Sequence, residues 1–212
     1  RTRNEDGGMI VPLLVMVISF SYFSCACSLL QRRSSRNSNS AMRLHASRAR
    51  SARFVESDHD GMKLCGESIR EGKLVSFPTE TVYGLGADAG NEAAVRSIFT
   101  AKGRPHTDPL IVHVLGIERI YDLFDFDEGD DSKAKRVCEV LCRAFWPGPL
   151  TLVYKASSRI PPLVTANTGF VGLRSPRHPV ARQLLAVCDP ISIAAPSANR
   201  FGHVSPTTAS HV

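Results

Sequence analysis

The run Phe77-Pro78-Thr79-Glu80-Thr81-Val82-Tyr83-Gly84-Leu85-Gly86 places two hydroxyls, a carboxylate and a phenol between a proline and two glycines. It follows the apolar residues 74–77, which read as a buried strand. A turn alone does not require so many hydrogen-bonding groups. Polar residues crowded at the exit of a strand point to a ligand site at the edge of an open α/β sheet. A second cluster, Lys102-Gly103-Arg104-Pro105, carries two cations suited to a polyanion such as a nucleotide phosphate. The same residue types also complement a helix C-terminus, so alone the cluster decides nothing. Arg174 leaves the apolar stretch Val171-Gly172-Leu173 and needs an anion, either an Asp or Glu of the chain or a ligand carboxylate or phosphate. His113, inside an apolar strand, fits a core residue or a site residue. A last cluster, Ala194-Ala195-Pro196-Ser197-Ala198-Asn199-Arg200, again runs from a strand into hydroxyl, amide and guanidinium groups.

The chain contains neither the glycine-rich dinucleotide fingerprint nor a Walker lysine motif, and no nucleophile elbow. Chemistry at these residues would therefore rest on positioning and charge stabilisation. The cysteines form no paired metal-ligand spacing. Cys138 and Cys142, one helical turn apart, read as small core residues, and a reducing compartment fits the free thiols. No metal ligands are assigned.

The elements that must position these groups alternate. Residues 74–77, 109–114, 150–154, 171–173 and 191–194 read as strands. Asp58 or Asp60 caps a first helix with Met62, Cys65 and Ile69 inward, and Asn91 caps a second through residue 101. Residues 117–124 read as a short helix, 125–131 as an acidic linker, and 132–145 as a helix capped by Ser132 with Val137, Leu141 and Ala144 in register. Residues 146–149 form a turn, and 179–187 a helix opened by proline. The class is α/β with a mixed sheet in a single domain, residues 56–212.

Residues 1–55 are set apart as a targeting leader. Residues 9–30 are mostly apolar, and from Gly7 to Val55 seven arginines occur without an acid. A signal followed by a transit-like segment suits a plastid, and a start at Met42 would give a mitochondrial-type presequence; a membrane anchor is a third reading, not favoured, so stable membrane insertion is not expected. Without use of the leader the chain is expected in the cytoplasm. From Glu56 onward, 17 Lys and Arg face 18 Asp and Glu, so the sequence pI near 9.2 describes the leader and argues against a broad nucleic-acid surface on the domain.

Taken together, the clusters around residues 76–86, 102–105, 109–114, 145–151, 173–176 and 195–200 occur in the order seen in the YrdC-like family of L-threonylcarbamoyladenylate synthases, which the chain closely resembles over about residues 60–212. The resemblance implies a twisted open sheet around a deep cavity. It also implies an enzyme joining L-threonine, bicarbonate and ATP into threonylcarbamoyl-AMP with release of pyrophosphate. A partner threonylcarbamoyl transferase would then modify tRNA beside the anticodon, and Mg2+ would accompany the ATP. Carried over by position, Thr79, Thr81, His113 and Arg174 would hold threonine. Lys102 and Arg104 would act on the phosphates as catalytic residues, with Asp108, Thr151, Ser175, Ala195, Ser197 and Asn199 along the nucleotide. Asp108 stands where the family has Asn, and Phe201 where it has a small residue. By the same pattern the domain is expected to be incomplete at its C-terminus. The alternative functions are an RNA-binding or carbamoyl-handling module of the same fold without synthase activity.

Overall fold

The computed structural model describes residues 14–16, 52–126 and 131–212. Most of residues 1–55, read above as a leader, and residues 127–130 of the acidic linker lie outside the described residues. The elements in chain order are β1 (Leu14–Met16), α1 (His59–Arg70), β2 (Val75–Pro78), β3 (Tyr83–Asp88), α2 (Glu92–Lys102), β4 (Ile111–His113), α3 (Ile120–Leu123), α4 (Asp131–Phe145), β5 (Thr151–Lys155), β6 (Phe170–Arg174), α5 (Pro179–Cys188) and β7 (Ile193–Ala194). Six strands of the domain form a mixed open sheet in the order β5-β6-β4-β7-β3-β2, and the leader segment β1 adds to its β5 edge. Only β4 and β6 run parallel; the other pairs are antiparallel.

The helices start where their caps dictate. The Asp58 carboxylate accepts the Gly61 N–H at 2.8 Å, and the Asn91 side chain accepts the Ala94 N–H at 3.2 Å. Gly103, at φ 60°, ends α2 in the left-handed conformation that glycine adopts without penalty. The sheet separates two cores. Helices α2, α3 and α4 pack Val95, Ile98, Phe99, Ile120 and Cys138 against Val112, Leu152 and Leu173 on one face. Helices α1 and α5 pack Ile69, Leu184 and Leu185 against Phe77 and Ile193 on the other. That second layer covers the β2–β3–β7 end and leaves the same face of β4, β5 and β6 open.

Two elements differ from the sequence expectation. Residues 83–86 are the first four residues of β3, paired with β2 from Pro78↔Tyr83 to Val75↔Gly86, where a loop was expected. The two glycines hide this strand because they are poor strand formers, yet packing requires one of them, Gly86. A Cβ on Gly86 would come within 2.7 Å of the Ile193 Cγ2 and 2.8 Å of the Phe77 Cε1. Gly86 admits the Phe77 ring rather than allowing the backbone to bend, whereas Gly84 would make only ordinary contacts with a Cβ. In α4 the buried residues are Cys138 and Cys142, with Leu141 half-buried beside them, while Val137 and Ala144 face out. The helix begins at Asp131, one residue before the expected Ser132 cap.

Candidate active site

The open part of the sheet face, closed over by the β2–β3 turn and the segment after β7, forms a cleft of about 520 Å3. This lies in the usual range for small-ligand pockets. Its floor is set by register. Thr151, Arg174 and His113 are direct partners across β5, β6 and β4 and so share one face. Gly172, two residues before Arg174, keeps this floor low between Thr151 and Ile111.

The floor is short of partners. Among the described residues, buried side-chain atoms without a hydrogen bond are Arg104 Nε, His113 Nδ1, Thr151 Oγ1, and Arg174 Nε and Nη2. Such groups are costly to leave unpaired, and their gathering beside a cleft marks a ligand site. Arg174 does touch one anion: Glu80 Oε1 lies 2.8 Å from its Nη2, an ion pair lacking hydrogen-bond alignment. Glu80 also accepts the Arg177 N–H at 3.3 Å. Burial pushes the Glu80 carboxyl up, but Arg174 and the neighbouring backbone N–H outweigh this and hold it below its usual range. Burial, with the Arg174 charge beside it, pushes the His113 imidazole down to about 4, so it is neutral at neutral pH. The Phe77 ring packs edge-on against it at 5.9 Å.

The β2–β3 turn is tied by one hydroxyl. Thr79 Oγ1 donates to the Val82 carbonyl at 2.7 Å and accepts the N–H groups of Thr81 and Val82 at 3.3 Å. Its remaining contact, 3.0 Å to Thr81 Oγ1, must then be donated by Thr81, leaving the Thr81 oxygen free to accept in the cleft. On the far wall Arg104 Nη2 donates to the Pro109 carbonyl at 3.2 Å and lies 3.6 Å from Asp108 Oδ2. The carboxylate found in place of Asn is thus partly neutralised by the arginine beside it.

Thr79, Thr81, Arg104, His113, Arg174, Ala195 and Ser197 line the cleft. Five predicted residues do not. Lys102 is buried, and its ammonium donates to the carbonyls of Ser197 and Asn199. Burial and the charge of Arg104 push it down to about 8, against which the two carbonyls favour the charged form. Asn199 clasps its own turn, donating to the Arg200 and His203 carbonyls at 2.7 and 2.8 Å. Ser175 faces away, donating to the Leu115 carbonyl at 3.0 Å in a separate small pocket beside Arg182 and Trp146. Thr151 lies in the floor row beneath the cleft, and Asp108 behind Arg104. The sequence reading gave no role to Glu80, Tyr83, Pro109, Ile111 and Ser205, which also line the cleft. For Glu80 the signal was present: Arg174 required an anion, and a carboxylate stood in the first cluster.

The arrangement can bind an anion between Arg174 and Arg104 and accept or donate hydrogen bonds along the floor. It supplies no activated nucleophile. Burial pushes the thiols of Cys142 and Cys188 up to about 12 and about 11, so neither is a thiolate near neutral pH. Among the described residues no group of three His, Cys, Asp or Glu could hold a metal, and no helix is long and apolar enough to cross a membrane.

A family model described as telomere recombination, Sua5/YciO/YrdC, matches residues 67–212. The threonylcarbamoyl-AMP synthase of Pyrococcus abyssi is 46% identical over 151 residues, covering 71% of this chain and 42% of that protein. The Bacillus subtilis enzyme of the same name is 46% identical over 145 residues, covering 68% of this chain and 40% of its own. The chain thus spans about two fifths of the length of these relatives. The structure of P. abyssi Sua5 complexed with L-threonine superposes with a TM-score of 0.66 at 44% identity, over 75% of this chain and 44% of that one. Escherichia coli YciO shares the fold, with a TM-score of 0.56 at 20% identity over 67% and 65% of the two chains. With two thirds of its length matched by the model and the cleft built from the motifs in their order, the chain belongs to the Sua5/YciO/YrdC family.

Proposed function

We propose that the cleft condenses L-threonine, bicarbonate and ATP into threonylcarbamoyl-AMP and pyrophosphate. The observation that carries this reading is the row Thr151–Arg174–His113, whose buried polar atoms lack hydrogen-bond partners at or just beneath a cleft with Arg104 on its other wall. Two separate guanidiniums suit a ligand pair with two anionic ends, a carboxylate and a phosphate chain. The curated relatives carry this activity in their names, and P. abyssi Sua5 is described with L-threonine bound.

In this reading Arg174 takes the threonine carboxylate, while neutral His113 and the Thr81 oxygen meet the polar groups around it. The carbamate oxygen of N-carboxylated threonine attacks the α-phosphorus, so the protein need not provide a nucleophile. Arg104 opposes the charge that develops on the phosphates. Lys102 supports the nucleotide wall by holding the Ser197 and Asn199 carbonyls, and reaches phosphate only if that clasp opens. Mg2+ would arrive on the phosphates; the residues present fit an ion held by ATP and water rather than by a protein cage. A partner transferase would pass the product to tRNA. The leader would direct the chain to a plastid or mitochondrion.

The deciding experiment incubates the full chain freed of its leader with ATP, bicarbonate and labelled threonine. Pyrophosphate release should require all three, with a labelled product of the mass of threonylcarbamoyl-AMP. Pyrophosphate release indifferent to threonine sinks the reading.

A further inference from the structure

The Glu80–Arg174 pair poses a problem for any carboxylate that enters the cleft. The edge of Arg174 that such a ligand would use, Nε and Nη2, already has Glu80 Oε1 2.8 Å from Nη2. Both side chains are mostly withdrawn from water, at 12% and 23% exposed. Two carboxylates at one shielded guanidinium repel, and a displaced Glu80 would keep its charge in a poorly hydrated place. Glu80 sits on the β2–β3 turn that closes over the cleft, while its carboxylate reaches Arg174 on β6 and the Arg177 N–H just beyond it. It is therefore placed to turn toward a ligand lying between turn and sheet.

A ligand bringing a cation next to its carboxylate removes the conflict. We propose that Glu80 is a specificity-determining residue that pairs with the ammonium of an α-amino acid whose carboxylate occupies Arg174. The proposal rests on the amino-acid reading of the cleft given above. A plain carboxylate of the same shape leaves Glu80 unpaired and is rejected. The depressed carboxyl of Glu80 suits this task, since it stays ionised as an acceptor and is a poor base. Recognition precedes carboxylation of the amine, so the pairing acts on the entering amino acid.

The test compares binding of L-threonine with 3-hydroxybutanoate, its analogue without the amino group, by titration calorimetry. The wild-type protein should prefer threonine by about a hundredfold or more. In Glu80→Gln the preference should drop below about tenfold, with threonine weakened and the deaminated analogue strengthened. Glu80→Asp, which keeps the charge on a shorter stem, should give an intermediate ratio. It also replaces the first variant if Glu80→Gln does not fold. An unchanged ratio in a folded variant, or equal weakening of both ligands, overturns the proposal and leaves Glu80 a clasp between turn and β6. Failure of the wild-type protein to bind threonine would overturn the amino-acid reading itself, and this proposal with it; an unchanged ratio in a protein that binds threonine overturns only the role of Glu80.

Discussion

Arg174 and His113 are neighbours in the sheet with opposite demands on charge. Arg174 must stay charged and needs an anion; His113, buried beside it, is kept neutral. Arg174→Ala should therefore weaken threonine binding by about 3 kcal/mol, roughly a hundredfold, in a calorimetric titration. Arg174→Lys should recover only part of this, because a point charge replaces the fork. His113 also links stability to pH. Its folded value near 4 lies below the unfolded value of about 6.5, so the unfolded chain takes up the proton first. Stability is then fully present above pH 6.5 and is lost as pH falls toward 4. Between pH 7.5 and 5 the wild-type protein should lose about 2 kcal/mol more in urea unfolding than His113→Asn. Equal losses in both would assign the acid sensitivity elsewhere. That an arginine leaving a buried strand needs an anion was legible in the sequence. That the anion is Glu80 was not, because the pairing depends on a turn approaching a strand more than ninety residues away in sequence.

Helix caps and strand centres followed from residue types: Asp58, Asn91, Pro179 and the apolar runs of β4, β5 and β6 stand where elementary capping and burial rules put them. Strand β3 did not, because Gly86 answers to tertiary neighbours, the Phe77 ring and Ile193, and not to local propensity. Gly86→Ala should accordingly cost about 1–3 kcal/mol in urea unfolding, since its new methyl meets two core side chains below 3 Å. Gly84→Ala, whose nearest contact is 3.5 Å, should cost less than about 1 kcal/mol. Reversal of that order would show that Gly86 is not a packing position. The segment after β7 depends on a different element: α2 ends at Lys102, whose ammonium holds the Ser197 and Asn199 carbonyls while its own carbonyl accepts the Phe201 N–H at 2.9 Å. Lys102→Met removes the ammonium and keeps the stem. Amide exchange across residues 197–203 should then rise about tenfold, and ATP affinity should fall with it. Loss of ATP affinity without faster exchange would instead mark Lys102 as a direct phosphate contact.

At the scale of the molecule, charge and site are separated. Seven arginines between Gly7 and Val55 face no acid, whereas from Glu56 to Val212 acids outnumber bases by one, 18 to 17. The cations that matter to the cleft, Arg104 and Arg174, are withdrawn from water and partly paired with Asp108 and Glu80. They act at short range on a bound ligand and contribute little to a long-range field. Among the described residues, the N-terminal segment approaches the cleft at the β5 edge, where Met16 is the register partner of Thr151. Thr151 holds its place in the floor through β6 on its other side, so this edge contact is not needed to build the cleft. Removing residues 1–51 should then leave threonine affinity within about twofold, an effect below 0.5 kcal/mol. The same deletion should abolish the salt-dependent retention of the chain on duplex RNA, because it removes six of the seven arginines between Gly7 and Val55 that would supply phosphate contacts. A domain that still bound RNA with a steep salt slope would carry a basic surface its charge balance does not provide, and the RNA-binding reading of the fold would regain ground over the synthase.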